Sequence, residues 1–238
     1  MSTNFMTVKD PEEISKLQGR TRSKLAKMFF ARSGAISMKW LHYLDIYDRY
    51  LSSYRGKAIK FLEIGIADGG SFNVWRPYLG DNATIYGIDI LPECRARVDA
   101  LNLNCHARIG SQNDPKFLQE VIAEMGGLDI VLDDGSHIAE HQLTSFRTLF
   151  PLLAEGGLYI CEDLHTSYWR DWQGGFRKSG TFIESIKNMC DSIHAWYGPT
   201  PNQFSEMKLH EQIHGIHLHD SIVVIEKARV SPPIMLIK

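Results

Sequence analysis

Two acidic pairs stand directly after apolar runs of the sequence, and a histidine follows one of them. Asp133 and Asp134 end the first run, and His137 comes three residues after Asp134. Glu162 and Asp163 end the second run. Carboxylate oxygens are the ligands that hard cations such as Mg²⁺ and Mn²⁺ prefer. The pattern therefore predicts a divalent metal held by Asp134, Glu162 and Asp163.

His137 is the candidate general base beside this metal. The pKa of an imidazole lies near neutral pH, so it can take the proton of a sugar or alcohol hydroxyl that a metal has acidified. A hydrogen bond at the start of the next helix is the alternative role for His137. Asp133 is expected to face the other side of the strand, toward the cofactor or the fold, because neighbouring strand residues alternate.

A glycine-rich turn after the first apolar strand predicts the other half of the site. Gly65, Gly69 and Ser71 lie in this turn, where the backbone can approach a ligand and the following helix offers free amide donors. The spacing differs from the Gly-x-Gly-x-x-Gly of a dinucleotide fold, and no lysine follows as in a phosphate-binding loop. Glu63, just before the turn, favours a positively charged ligand over a pyrophosphate.

The ends of the next two strands complete a predicted nucleoside site. Asp89 ends the second strand, where it can accept hydrogen bonds from ribose hydroxyls. Ser111 and Gln112 follow the third strand, where they can meet an adenine edge. Together with the acid before the glycine turn, these residues describe a site for a positively charged nucleoside, and S-adenosylmethionine fits. A plain strand-turn-helix connection with incidental acids is the alternative.

Apolar strands and helical patterns alternate from residue 59 to residue 163 and predict the elements that position these side chains. The alternation is typical of a doubly wound, mostly parallel α/β sheet with helices on both faces. A helix over residues 35–51 is expected at the sheet edge or over the mouth of the site, and residues 164–180 are expected to form a loop over it. Two strand runs around Asp220 and Ser221 predict an antiparallel hairpin at the far edge.

The length of the chain suits one large α/β domain with additions, or two small domains. The chain has 238 residues, 44% of them hydrophobic, which supports a sizeable core. A formal net charge of −2, without basic runs, indicates neither a nucleic-acid partner nor a membrane surface. No apolar run approaches the length of a membrane span. The four cysteines lack short paired spacings, which favours a reducing, cytoplasmic compartment.

Several of these motifs together resemble a known enzyme family over about residues 40–227. The matching segments are Leu62-Glu63-Ile64-Gly65, Gly69-Gly70-Ser71, Tyr86-Gly87-Ile88-Asp89, Leu132-Asp133-Asp134-Gly135-Ser136-His137, Gly156-Gly157-Leu158-Tyr159, Glu162-Asp163-Leu164-His165-Thr166-Ser167-Tyr168-Trp169 and Asp220-Ser221-Ile222-Val223-Val224-Ile225-Glu226-Lys227. They resemble the metal-dependent S-adenosylmethionine O-methyltransferases that act on sugars of macrolides and related natural products, typified by the mycinamicin 2''-O-methyltransferase.

The resemblance implies a Rossmann-like class I methyltransferase fold, with a mostly parallel seven-stranded sheet and an antiparallel C-terminal hairpin. It also implies Mg²⁺ on the three predicted carboxylates, with His137 as the base. Tyr168 and Trp169 are expected to shape the acceptor pocket. Relatives of this kind assemble as homo-oligomers, so a dimer or tetramer is expected. The chain is expected to lack the large N-terminal domain of such relatives.

The sequence thus predicts a Mg²⁺-dependent S-adenosylmethionine O-methyltransferase of a sugar hydroxyl in a glycosylated natural product or saccharide. Residues 1–55 are expected to form an N-terminal helical extension or lid, and residues 56–238 the methyltransferase domain. A catechol or other phenolic acceptor is an alternative, because adjacent oxygens of either kind can chelate a metal. A nicotinamide-dependent oxidoreductase is the alternative from another enzyme class, although the glycine spacing disfavours it. A non-catalytic binding module on the same fold is a third.

Overall fold

A seven-stranded sheet forms the centre of the computed structural model, which describes residues 7–32, 34–35, 37–198 and 208–238. The strand order is β3-β2-β1-β4-β5-β7-β6, and β7 runs antiparallel to both of its neighbours. The other pairings are parallel, which confirms the mostly parallel sheet with an antiparallel hairpin at one edge. The strands are β1 (Lys60–Ile64), β2 (Thr84–Asp89), β3 (His106–Ile109), β4 (Ile130–Asp133), β5 (Leu158–Cys161), β6 (Ile213–His219) and β7 (Ile222–Lys227).

Helices connect the parallel strands and cover the sheet. Helix α6 shows why they begin where they do: the Asp114 carboxylate caps two first-turn amides, and Pro115 takes the first helical position, where a missing amide costs little. The helices are α1 (Pro11–Gln18), α2 (Lys24–Ala31), α3 (Leu41–Leu51), α4 (Phe72–Leu79), α5 (Glu93–Ala100), α6 (Pro115–Met125), α7 (Ala139–Leu149) and α8 (Phe182–Ser192). In the described chain, none is long and apolar enough to cross a membrane.

Alternation along the buried strands divides the core into two layers. On one face, Leu62 and Val131 pack with residues of α6, α7 and α8. On the other face, Phe61 and Leu132 pack with residues of α2, α3, α4 and α5. Because both faces are covered, the central strands are buried on both sides and read as continuous apolar runs.

The helix expected over residues 35–51 begins later than expected, at Leu41. The backbone of Trp40 is extended, and residues 37–40 form neither helix nor strand. The Arg32 guanidinium binds the carbonyl oxygens of Ala35 and Ser37 at 2.6 and 3.1 Å, which holds this stretch outside the helix. Helix α3 itself buries Tyr43, Leu44, Tyr47 and Leu51 in the same apolar layer as β1. The proposed domain boundary at residue 55 stays a prediction.

Candidate functional site

The ends of three neighbouring strands bring the predicted motifs together. Ile64 of β1, Asp133 of β4 and Cys161 of β5 lie side by side in the register of the sheet. The glycine turn and both acidic pairs therefore emerge from the same edge, where open α/β sheets bind ligands. The glycine turn passes close to the chain after β4. Gly65 has a φ of +84°, and an added Cβ there would overlap the carbonyl oxygen of Asp134.

Asp134, His137 and Asp163 form a cluster whose potential ligand atoms all lie within 4.8 Å of one another. His137 Nε2 is 3.5 Å from Asp163 Oδ2 and 3.8 Å from Asp134 Oδ1. Glu162 is buried next to Asp134, and its burial, together with the Asp134 carboxylate, raises the pKa of Glu162 well above its ordinary value. Burial, opposed in part by Lys39, raises the pKa of Asp134 to about 6. The arrangement concentrates negative charge where water cannot screen it, and so attracts a cation.

The backbone of His137 explains how its imidazole faces the acids. The sequence favours a position in the first turn of the next helix, but α7 begins at Ala139 and His137 precedes it with a left-handed φ of +58°. Such a conformation is uncommon for residues other than glycine. The Thr166 hydroxyl donates to the His137 carbonyl oxygen at 3.2 Å and helps to hold it. Burial lowers the pKa of His137, so its imidazole is neutral at pH 7 and can accept a proton.

Lys39 is a residue of this site that the sequence analysis missed. Its ammonium contacts Asp134 Oδ2 and Glu162 Oε1, and its side chain is only 5% exposed. Burial by itself lowers the pKa of Lys39, but the Asp134, Glu162 and Glu63 carboxylates outweigh burial and hold that pKa well above its ordinary value. The chain thus places a positive charge of its own between two of the predicted metal ligands, which shows that this donor set suits a cation.

Two tyrosines of α3, also missed, bind two further carboxylate oxygens of the site. The Tyr47 hydroxyl donates to Glu162 Oε2, and the Tyr43 hydroxyl donates to Asp163 Oδ1 at 2.9 Å. Burial, together with the neighbouring acids, raises the pKa of both tyrosines, so both stay protonated donors. The only sequence signal is a lysine and two tyrosines spaced four residues apart, at 39, 43 and 47. Two of these share one helical face.

The nucleoside end of the site is held by hydrogen bonds within the protein. The Asp89 carboxylate accepts from the Ala67 amide at 2.9 Å and from the Leu91 amide at 3.0 Å. Glu63 is fully buried and accepts from the Ser71 hydroxyl at 2.6 Å. The acids therefore brace the turn that holds Gly69, which has a φ of +72°.

Comparison with known proteins finds a family model that is similar to the central part of the chain. Residues 62–164 match the family model described as a methyltransferase domain. The matched segment is therefore similar to a methyltransferase domain. It contains the glycine turn, Asp89 and both acidic pairs, and its sheet has the mostly parallel order predicted above.

The most similar proteins confirm the resemblance to sugar O-methyltransferases. The chain is 34% identical to 8-demethyl-8-alpha-L-rhamnosyl tetracenomycin-C 2'-O-methyltransferase of Streptomyces olivaceus, over 80% of this chain and 52% of the relative. It is 35% identical to mycinamicin VI 2''-O-methyltransferase of Micromonospora griseorubida, over 77% and 47%. The chain spans about half the length of the curated relatives it matches.

A solved structure shows the same similarity in three dimensions. It is the MycE methyltransferase from the mycinamycin biosynthetic pathway, in complex with Mg, SAH and mycinamycin VI. The two chains superpose with a TM-score of 0.73 at 32% identity, over 91% of this chain and 53% of the other.

Asp133 lies on the opposite side of its strand from the acidic cluster. Its carboxylate accepts from Gln112 Nε2 at 3.1 Å and from the Tyr159 hydroxyl at 2.9 Å. Gln112 also donates to the Ser145 hydroxyl and accepts from the Ser136 amide. Burial raises the pKa of Asp133 to about 6. The contacts of Asp133 and Gln112 join the ends of β3 and β4 to α7, and their predicted role in cofactor binding stays a prediction.

The remaining predicted residues lie at the rim of the site. The Ser111 hydroxyl accepts from the Asn113 amide at 3.1 Å, in the loop after β3. Tyr168 is 45% exposed, on the short helical turn Leu164–Tyr168 that directly follows Asp163. The Trp169 ring lies against the His165 ring, with 4.6 Å between centroids. Both aromatic residues thus stand beside the acidic cluster, and their contact with an acceptor stays a prediction.

Proposed function

We propose that the protein is a Mg²⁺-dependent S-adenosylmethionine O-methyltransferase that acts on a sugar hydroxyl of a glycosylated natural product or saccharide. The observation that carries this proposal is the position of His137, 3.5 Å from Asp163 and 3.8 Å from Asp134, beside the glycine turn of a methyltransferase domain. Named relatives support the acceptor class, and the MycE complex with Mg and SAH supports the cofactors.

The metal would be held by Asp134, Glu162 and Asp163. Their fit to a cation rests on the Lys39 ammonium, which lies between two of them. When bound, Mg²⁺ lowers the pKa of a hydroxyl and S-adenosylmethionine supplies an activated methyl group. Tyr43 and Tyr47 fix the orientation of the carboxylates by donating to them.

His137 serves as the general base in this proposal. Its neutral imidazole takes the proton of the acceptor hydroxyl, and the Asp163 carboxylate beside it stabilises the imidazolium that results. The Thr166 hydroxyl, which donates to the backbone carbonyl of His137, helps to hold this residue in place. Catalysis then depends mainly on positioning the acceptor oxygen for attack.

The methyl donor would lie along the edge formed by β1, β2 and β3. We assign its binding to Glu63, Gly65, Gly69, Ser71, Asp89, Ser111, Gln112 and Asp133. Tyr168 and Trp169 would contact the acceptor from the other side of the acidic cluster. Assembly into a homo-oligomer is part of the same proposal, in line with the family resemblance.

A methylation screen tests the proposal. The protein is incubated with S-adenosylmethionine and a panel of rhamnosides, other glycosides and catechols, with and without EDTA, and products are detected by mass spectrometry. We expect methylated glycosides only where a divalent metal is present. Transfer to catechols alone would indicate the phenolic alternative instead.

Substitution of the base gives a second test in the same assay. His137→Gln should lower the transfer rate by about 10²–10⁴-fold, the range usual for loss of a general base. His214→Gln is the matched control, because His214 is exposed on β6. Full activity in His137→Gln would contradict the proposal.

A further inference from the structure

Lys39 lies on an irregular segment between two helices that cover the same face of the sheet. Residues 37–40 connect α2 to α3 and form neither helix nor strand. The Lys39 side chain nevertheless reaches the centre of the site, where its ammonium contacts Asp134 from the end of β4 and Glu162 from the end of β5. One irregular segment thereby closes the edge of the sheet.

The ammonium and a divalent cation compete for the same oxygens. Asp134 and Glu162 are both ligands in the proposed metal site, and Lys39 contacts one oxygen of each. The second oxygen of Glu162 is occupied by the Tyr47 hydroxyl, so this carboxylate has little capacity to serve both cations. Two positive charges in a poorly screened site also repel each other strongly. One of them must therefore leave when the other binds.

Charge balance favours the divalent cation as the final occupant. Asp134 and Asp163 belong to the cluster, Glu162 is buried next to Asp134, and buried Glu63 also acts on Lys39. Lys39 offers a single positive charge to this group. Replacing the ammonium by a doubly charged ion brings the cluster closer to neutrality.

We propose that Lys39 is an internal competitor of the metal: its ammonium neutralises Asp134 and Glu162 in the metal-free protein and leaves them when a divalent cation binds, which releases residues 37–40. This inference rests on the proposed metal site. Release of this segment would also affect the residues proposed to bind the acceptor. The ring of Trp40, which follows Lys39, lies 5.6 Å from the ring of His165, and the His165 ring contacts Trp169. Metal binding and acceptor binding are then coupled through one segment.

Calorimetric titration of Mn²⁺ or Mg²⁺ into the metal-free full chain tests the competition. Lys39→Met should bind metal at least about tenfold more tightly than wild type, because the competing state is removed. Lys116→Met, an exposed lysine on α6, is the control and should bind like wild type. Equal or weaker affinity in Lys39→Met would overturn the proposal.

Thermal melting of the same proteins checks that the affinity change has the stated cause. Metal-free Lys39→Met should melt at a lower temperature than wild type, since Asp134 and Glu162 lose their counter-ion. Saturating Mn²⁺ should remove most of that difference. A difference that persists at saturation would contradict the exchange of one cation for the other.

Hydrogen exchange of the wild-type protein tests the release without any substitution. Saturating Mg²⁺ should raise deuterium uptake in peptides that cover residues 37–41, opposite to the protection that ligands usually confer. Unchanged or lower uptake there would overturn the proposal. If Mg²⁺ binds and supports methyl transfer without these changes, the competition fails and the proposed function stands. If Mg²⁺ binds neither wild type nor Lys39→Met, both fail.

Discussion

The site is built by two regions that differ in how the chain places them. The edge of the sheet supplies Asp134 and Glu162, which directly follow two adjacent strands. The residues before them, Asp133 and Cys161, are paired in the sheet, so the register of the strands places the two acids side by side. The segment around α3 supplies Lys39 and Tyr47, which bind those acids from 95 and 115 residues away in sequence. The sheet thus presents the carboxylates, and a segment distant in sequence neutralises them and donates a hydrogen bond to them. Substitutions on the two sides should therefore have different consequences.

Removal of a carboxylate from the sheet edge should have the largest effect on activity. Asp134→Asn takes away a proposed metal ligand and a neighbour of His137, and we expect a loss of about 10³-fold in transfer rate, close to 4 kcal/mol. Asp129→Asn, at the opposite end of β4, is the control for loss of a carboxylate outside the site. Steady-state rates at saturating Mg²⁺ measure the effect. Rates that match wild type would remove Asp134 from the site.

A substitution in the glycine turn should mainly lower the free energy of unfolding. Gly65→Ala combines a φ of +84° with overlap of the Asp134 carbonyl, and we expect a cost of about 3 kcal/mol or more in the free energy of unfolding. Gly56→Ala is the matched control: its φ is +74°, but nothing lies within 4 Å of an added Cβ. It should cost about 1–2 kcal/mol. Urea titrations that gave equal losses would contradict the close approach.

A substitution on the buried side of the β4 end should lower the stability of the fold and leave metal binding unchanged. Asp133→Asn replaces a carboxylate that accepts from Gln112 and Tyr159, and one buried donor then lacks its charged acceptor. We expect a loss of about 1–3 kcal/mol in the free energy of unfolding. Metal affinity, measured by calorimetry on the folded variant, should match wild type. A large change in affinity would show that Asp133 belongs to the metal cluster.

Removal of a hydroxyl on α3 should have the smallest effect, a modest loss of metal affinity. Tyr47→Phe removes the donor to Glu162 and should weaken metal binding by about tenfold, the low end of what loss of a ligand's hydrogen-bond partner costs. Tyr50→Phe on the same helix is the control, since that hydroxyl contacts His219 on β6 instead. Calorimetric titration compares the two variants. If Tyr47→Phe and Tyr50→Phe bound metal equally well, the Tyr47 hydroxyl would have no role in metal binding.

The sequence predicts the sheet edge well because its signals are local. Each acidic pair directly follows an apolar run, and the parallel alternation of strands places both pairs at one edge. The glycine turn is equally local: Gly65 adopts the positive φ that its position requires.

The contribution of α3 could not be predicted in the same way. Nothing near Lys39 in sequence indicates that its side chain will cross to Asp134, because that contact depends on how residues 37–40 leave α2. The helical pattern over 35–51 even suggested a regular helix through Lys39. His137 shows the same limit, since its left-handed backbone before α7 is set by tertiary contacts. Local patterns therefore locate the acids, and only the fold locates their partners.

The rate of methyl transfer to a glycoside acceptor, measured as Mg²⁺ is restored to the chelated protein, tests the central claim most directly. The account predicts that chelation abolishes transfer and that activity returns along the same curve as calorimetric metal binding. His137→Gln should bind Mg²⁺ under these conditions and remain inactive. Transfer that persists after thorough chelation, or that returns in His137→Gln, would contradict a metal and base assembled at Asp134, His137 and Asp163.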